Sequence, residues 1–223
     1  TAEQLRKRQV ADELAEYGSL PVVNALTDQG HPCQLMADLL TIYERTPDFS
    51  KVTVTWVGDG NNMANSWIEA AMYFPFQLNM AIAPGYEPDQ QLLALALQSG
   101  AKIFLTHDPK LAVDGANYIY ADVWASMGEE AQIPERVRLL SPFRVTEETL
   151  KATENPDVLY LHCLPSFHDF ETKMAKEWHD KGVDIREVTD EVFRSRHSVV
   201  FDEAENRMHT IKAVMAATLG YEA

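Results

Sequence analysis

Runs of β-branched and aromatic residues alternate with helical patterns through the middle of the chain. Lys51 to Val57 (KVTVTWV) predicts a strand and Asn62 to Ala71 a helix. Further strands are predicted at Gln77 to Ala83, Lys102 to Thr106, Tyr118 to Ala121, Val158 to His162 and Ser198 to Phe201. Gln90 to Gln98 and Phe170 to Lys181 read as helices between them. Strands that are apolar throughout, rather than alternating, belong in sheets covered on both faces. The βαβα order then predicts an α/β fold, a mostly parallel, doubly wound sheet with helices on both faces.

The two ends differ from this central unit. Glu3 to Tyr17 carries Val10, Leu14 and Tyr17 at i, i+4 and i+7, a one-sided helix suited to an arm. His31 to Glu44 predicts a second helix, with Pro32 in its first turn, where a missing N–H costs nothing. Leu35, Leu39 and Ile42 form its apolar stripe. A last helix is expected to start at Asp202 as N-cap, with Glu205 three places on as in a capping box. Ala204, Met208, Ile211, Met215 and Leu219 line one face of this helix.

Composition narrows the classes. The 223 residues include 34 Asp plus Glu against 19 Lys plus Arg, a formal net charge of −15. That acidity argues against nucleic acid and mildly favours a cationic small substrate. A hydrophobic content of 46% supports a real core and excludes wholesale disorder. No apolar run approaches the roughly 18 residues a membrane span needs, and no signal-peptide pattern opens the chain. Two cysteines, Cys33 and Cys163, are too few for a disulfide framework, so a reducing cytoplasm is expected.

In open α/β sheets ligands bind outside the carboxyl ends of the strands. Four predicted strands are followed by small, polar or reactive residues: Gly58-Asp59-Gly60-Asn61-Asn62, Asp122 with Ser126-Met127-Gly128, His162-Cys163-Leu164-Pro165, and Asp202 to Arg207. Each has a plainer reading. Gly58-x-Gly60 fits a tight turn better than a dinucleotide fingerprint, because Met63 stands at the third glycine's place. Asparagines at a helix start cap more often than they bind. Cys163 as a lone cysteine reads first as a small buried hydrophobe, and His162 on the opposite strand face is no base for it. Cys163, His162, His168 and Asp169 match no standard zinc spacing, so no metal is expected. Arg207 sits in the first turn of the last helix, where a cation opposes the dipole; it is either a surface ion pair or a guanidinium aimed at a ligand oxygen. His31 and Gln34, three apart, share a helix face and are placed to grip one carbonyl or amide.

In combination these segments are more specific. His31-Pro32-Cys33-Gln34, the Gly58-Asp59-Gly60-Asn61-Asn62 turn with Asn65-Ser66, Asp122-x-x-x-Ser126-Met127-Gly128, His162-Cys163-Leu164-Pro165 and Glu205-Asn206-Arg207 together resemble the ornithine carbamoyltransferases. The resemblance runs from about Leu20 to Leu219, and the Ser-Met-Gly loop separates it from the aspartate-specific relatives. It implies a Rossmann-like fold and transfer of the carbamoyl group of carbamoyl phosphate to the δ-amine of L-ornithine, giving L-citrulline and phosphate. It implies that Asn62, Asp122, Ser126 and Met127 hold ornithine. It implies that His31, Gln34, Cys163, Leu164 and Arg207 meet carbamoyl phosphate, with Cys163, Arg207 and His31 at the reaction centre. Arg207 and His31 are expected as donors to the developing oxyanion. No cofactor is implied, because phosphate already leaves well.

The resemblance also implies a domain plan: 1–46 a helical arm and remnant of a carbamoyl-phosphate domain, 47–201 the ornithine-binding domain, 202–223 an interdomain helix. The family's Ser-x-Arg-Thr-Arg phosphate loop occurs nowhere in the sequence, and Ser195-Arg196-His197-Ser198 is no substitute. The N-terminal carbamoyl-phosphate domain is therefore expected to be largely absent, and the family's homotrimer is not assumed for this chain. Three alternatives stand beside the transferase: a non-catalytic amino-acid-binding fragment, a carbamoyltransferase for putrescine or N-acetylornithine, and, more distantly, a nicotinamide oxidoreductase.

Overall fold

The computed structural model describes residues 2–125 and 128–221, and the backbone alone for residues 2–9. Helices α1 (Ala2–Tyr17) and α2 (Pro32–Arg45) precede the first strand. Strand β1 (Thr53–Gly58), α3 (Asn62–Ala71), β2 (Gln77–Ile82), α4 (Gln90–Gln98), β3 (Lys102–Thr106), α5 (Pro109–Val113) and β4 (Tyr118–Ala121) follow. Next come α6 (Ile133–Leu140), α7 (Glu147–Lys151), β5 (Leu159–His162), α8 (Lys173–Asp180), α9 (Asp190–Phe193) and α10 (Val200–Thr218).

The five strands form one parallel sheet in the order β3-β2-β1-β4-β5. Its central strands are buried on both faces, and the polar Thr55 and Asn79 inside them are satisfied by donating to Ala112 O. On one face Trp56, Met80 and Tyr120 pack against Met63, Trp67 and Ile68 of α3 and against Leu35, Leu39 and Ile42 of α2. Trp56 stacks on Tyr120 at 5.5 Å, and Trp67 meets the same ring edge-on. On the other face Val57, Ala81, Ile119 and Tyr160 pack against Val113, Leu140 and Val192. Strand order reverses between β1 and β4, so the carboxyl ends of these two strands diverge to leave a crevice.

The structure corrects the sequence reading at the chain's end. Ser198 to Phe201 is not a strand: Ser198 makes one isolated parallel bridge to Tyr160, and the helix begins at Val200. Its N-cap is Val199, not Asp202, and Asp202 instead pairs with Arg45 of α2. The buried face of α10 is also the other one. Glu203, Asn206 and Thr210 are buried, whereas Met208, Met215 and Leu219 are exposed. Polar residues go inside here because α2 presents polar partners: Asn206 Nδ2 donates to Thr41 Oγ1 at 3.0 Å and to Glu44 Oε2 at 2.8 Å. The predicted Phe170 to Lys181 helix is shorter, starting after the Thr172 cap. On α1, Val10, Leu14 and Tyr17 are exposed rather than packed. No helix among the described residues is long and apolar enough to cross a membrane.

Candidate active site

Backbone geometry first brings the strand ends together. Gly58 leaves β1 at φ +144°, and a Cβ at Gly60 would collide with the backbone of Glu87 and Pro88. Gly58 thus serves a positive φ and Gly60 a close chain crossing, both within a tight turn, the plainer of their two readings. Gly60 N–H donates to Tyr86 O at 2.6 Å, fixing the turn that delivers Asn61. Asn61 caps α3 by accepting from Met63 N and Ala64 N. Its amide nitrogen donates to Asp122 Oδ2 at 2.8 Å, so it bridges the end of β1 to the end of β4.

Asp122 is the centre of the cluster. Cys163 Sγ donates to its Oδ1 at 3.1 Å, and Val123 N donates to the same oxygen at 2.8 Å. Burial, and then the negative charge of Asp122, pushes the Cys163 thiol well above its usual pKa. Cys163 is therefore a thiol donor and not a thiolate nucleophile. His162 points away into the core, where its Nε2 lies 3.1 Å from Glu187 Oε1 and its Nδ1 accepts from Leu164 N at 2.8 Å. Asp122, His162 and Cys163 offer ligand atoms within 4.8 Å of one another, yet these internal contacts already occupy them. Leu164 has φ +53°, a left-handed backbone that costs a non-glycine residue of order 1–3 kcal/mol and that clusters at functional sites.

The other wall is α2 and the segment before it. Asn62, Asn65 and Ser66 of α3 hold this segment: Asn62 Nδ2 donates to Thr27 O, Asn65 Nδ2 to Gln29 O, and Ser66 Oγ accepts from His31 N at 2.7 Å. The Asn62 amide expected to meet ornithine is thus engaged with the chain itself. His31 Nδ1 lies 2.7 Å from Ala25 O, so its proton is spent there. Burial, and then the charge of Arg207, lowers the His31 pKa. The neutral ring presents Nε2 as an acceptor, and His31 is an oxyanion donor only as imidazolium. Nor do His31 and Gln34 share a grip, because Gln34 Nε2 turns inward to Asp38 and Glu203. Arg207 stands close enough to His31 to lower its pKa, and its Nη1 is buried with no hydrogen-bond partner. Such an unsatisfied guanidinium nitrogen calls for an anionic or carbonyl oxygen. Ser126 and Met127 lie outside the described residues.

Sequence reasoning quoted Asn61, Asp59 and Glu203 within strand-end segments without their contacts, and missed Asp38 and Arg136. Asp38 was within reach, since it lies four residues after Gln34 on the same helix face. The others depend on long-range contacts.

A parallel α/β sheet whose switch-point crevice joins a carboxylate to a thiol, with a buried guanidinium nitrogen left unpartnered near His31, fits an enzyme-like class that binds a small polar ligand at the strands' carboxyl ends. Known proteins narrow that class. The family model described as aspartate/ornithine carbamoyltransferase, Asp/Orn binding domain, matches residues 50–218. The chain belongs to the aspartate/ornithine carbamoyltransferase family. The companion carbamoyl-P binding domain model matches residues 3–44. This corrects the expectation that sequence of that domain is largely absent. The ornithine carbamoyltransferase of Oleidesulfovibrio alaskensis is 57% identical over 204 residues, covering 92% of this chain and 62% of the relative. A catabolic ornithine carbamoyltransferase of Bacillus licheniformis is 48% identical, covering 93% of this chain and 64% of the relative. The solved ornithine carbamoyltransferase from Pyrococcus furiosus superimposes with a TM-score of 0.81 at 40% identity, covering 93% of this chain and 62% of that one. The chain thus spans less than two thirds of the length of these relatives.

Proposed function

We propose that this chain serves carbamoyl transfer from carbamoyl phosphate to the δ-amine of L-ornithine, giving L-citrulline and phosphate. The observation that carries the reading is Arg207 Nη1, buried with no hydrogen-bond partner and near His31, on which Asp122 also acts. An amine like ornithine's has a pKa of about 10.4 and attacks only after losing a proton. The free amine nitrogen then bonds to the carbamoyl carbon, and the carbonyl π pair moves onto oxygen. Arg207 donates to that oxyanion; its collapse expels phosphate, and the nitrogen sheds its second proton. Asp122 supplies the counter-charge for an ammonium group of the amino acid, with Asn61 fixing the carboxylate. The Cys163 thiol adjoins the amine, neutral His31 accepts a hydrogen from the reacting groups, and Gln34 and Leu164 border the carbamoyl end. Asn62, Ser126 and Met127 complete the ornithine side in this reading, Asn62 by releasing Thr27.

The same reading divides the chain into an arm carrying carbamoyl-phosphate-domain sequence (1–46), an ornithine-binding unit (47–201) and a terminal helix (202–223). It places the protein in the cytoplasm. A homotrimer, implied by the resemblance for whole-length members, is tested by sedimentation of this chain. The decisive assay is citrulline formation by the purified chain with both substrates. Arg207→Ala is expected to lower turnover by about 100- to 1,000-fold. Unchanged turnover in a folded Arg207→Ala protein removes Arg207 from the chemistry. Ornithine binding without turnover favours a second reading, an amino-acid-binding module.

A further inference from the structure

Beneath the crevice two carboxyl groups share one amide nitrogen. Gln34 Nε2 donates to Asp38 Oδ1 at 2.8 Å and to Glu203 Oε1 at 3.2 Å. Glu203 Oε2 accepts from His162 N at 2.9 Å. Asp38 and Glu203 are both fully buried, and among the described residues no Lys or Arg forms an ion pair with either. The charged and titratable neighbours are Tyr120 from β4, Arg207 from α10, His162 and Cys163 from β5 and its end, and Asp122. Two adjacent buried carboxylates do not both ionise at neutral pH. Asp38 Oδ2 is buried with no partner, an orphan that one proton held between the two carboxyls would satisfy. Burial accordingly raises Asp38 to about 7 and Glu203 further above its usual range.

This arrangement fixes the Gln34 amide. Both its hydrogens are consumed below, and no described residue donates to its Oε1. We propose that Asp38 and Glu203 are positioning residues which hold Gln34 as a hydrogen-bond acceptor, so that the site selects a ligand carrying an amino group, the carbamoyl NH2, over one with a methyl there. The proposal rests on the carbamoyl-transfer reading above for its ligand. Glu203 is placed for the task, because it ties α10, one turn before Arg207, to α2 at Gln34 and to β5 at His162.

The test compares binding of carbamoyl phosphate and acetyl phosphate to the whole chain by calorimetry. Asp38→Ala frees the amide to turn over and is expected to cut the preference for carbamoyl over acetyl phosphate by about tenfold, the worth of one hydrogen bond. Asp38→Asn keeps an acceptor for Gln34 and supplies a donor to Glu203, mimicking the neutral partner. It is expected to restore the preference to within about threefold of the parent, a spread of well under 1 kcal/mol. An unchanged preference in Asp38→Ala, or an equal loss in Asp38→Asn, overturns the proposal. Infrared spectra give a readout independent of ligand. The parent should show a buried protonated carboxyl band that the double variant Asp38→Asn/Glu203→Gln lacks, and a parent whose spectrum in that region matches the double variant's overturns the shared proton. A parent chain that binds neither phosphate, yet shows the band, overturns the transfer reading and the ligand assigned here while leaving the carboxyl pair established.

Discussion

Arg136 gives the sharpest test of how the crevice is held up. It is 7% exposed and forms a buried ion pair with Asp59, itself 6% exposed, in the turn after β1. Its guanidinium also donates to Trp124 O and lies 4.8 Å from the Tyr86 ring centroid. Arg136→Met leaves a buried carboxylate without its cation, a loss of about 3–5 kcal/mol. For a chain of this size that corresponds to a fall in Tm of roughly 6–20 °C. The pH dependence follows from Asp59. Burial outweighs Arg136 and raises its pKa from 3.8 to about 7. A group raised in the folded state holds its proton longer than in the unfolded chain. Its stabilising contribution is therefore complete below the unfolded value and is lost as pH climbs through the folded one. Removing Arg136 raises the folded value further, so the variant's penalty should be largest near about pH 8.5 and smaller near about pH 5.5, where Asp59 is neutral. Urea unfolding at the two pH values reads this directly. The double variant Asp59→Asn/Arg136→Met should be less destabilised than the sum of the singles by about 1–3 kcal/mol. An equal penalty at both pH values, together with additive singles, would refute the reasoning.

Two more predictions concern the site. Because burial and Asp122 hold the Cys163 thiol protonated, iodoacetamide should label it slowly at neutral pH and faster as pH rises; stoichiometric labelling at neutral pH would contradict that environment. Asn61→Ala removes both a helix cap and a donor to Asp122, so about 1 kcal/mol of stability should go, with ornithine affinity falling more than carbamoyl phosphate affinity. Equal weakening of both ligands by calorimetry would show that Asn61 does not act through Asp122.

Several roles moved once contacts could be seen. The Asn62, Asn65 and Ser66 side chains were legible as polar residues at a helix start, but not as clamps on residues 27–31. His31 was legible as a site residue, yet its hydrogen-bonding sense depends on a backbone carbonyl six residues back. Ser198 to Phe201 has β-branched residues in a row, and still becomes a single bridge and a helix start. Local propensity there is weaker than the packing of α10 on α2.

Sequence by itself determined the alternation of strands and helices, because short runs rich in β-branched and aromatic residues alternate with segments of helical periodicity. It also determined the family resemblance, since the reactive residues stand at strand ends in a fixed order. Only the tertiary structure decided which face of α10 is buried, which Gln34 atom is left unpartnered, and that Cys163 donates to Asp122. Apart from Asp38, four residues from Gln34, the partners in the Gln34 and Cys163 contacts lie 41 to 169 residues away along the chain. A polar side chain is at ease inside only when such partners meet it, and periodicity records spacing along one element, not what stands opposite it.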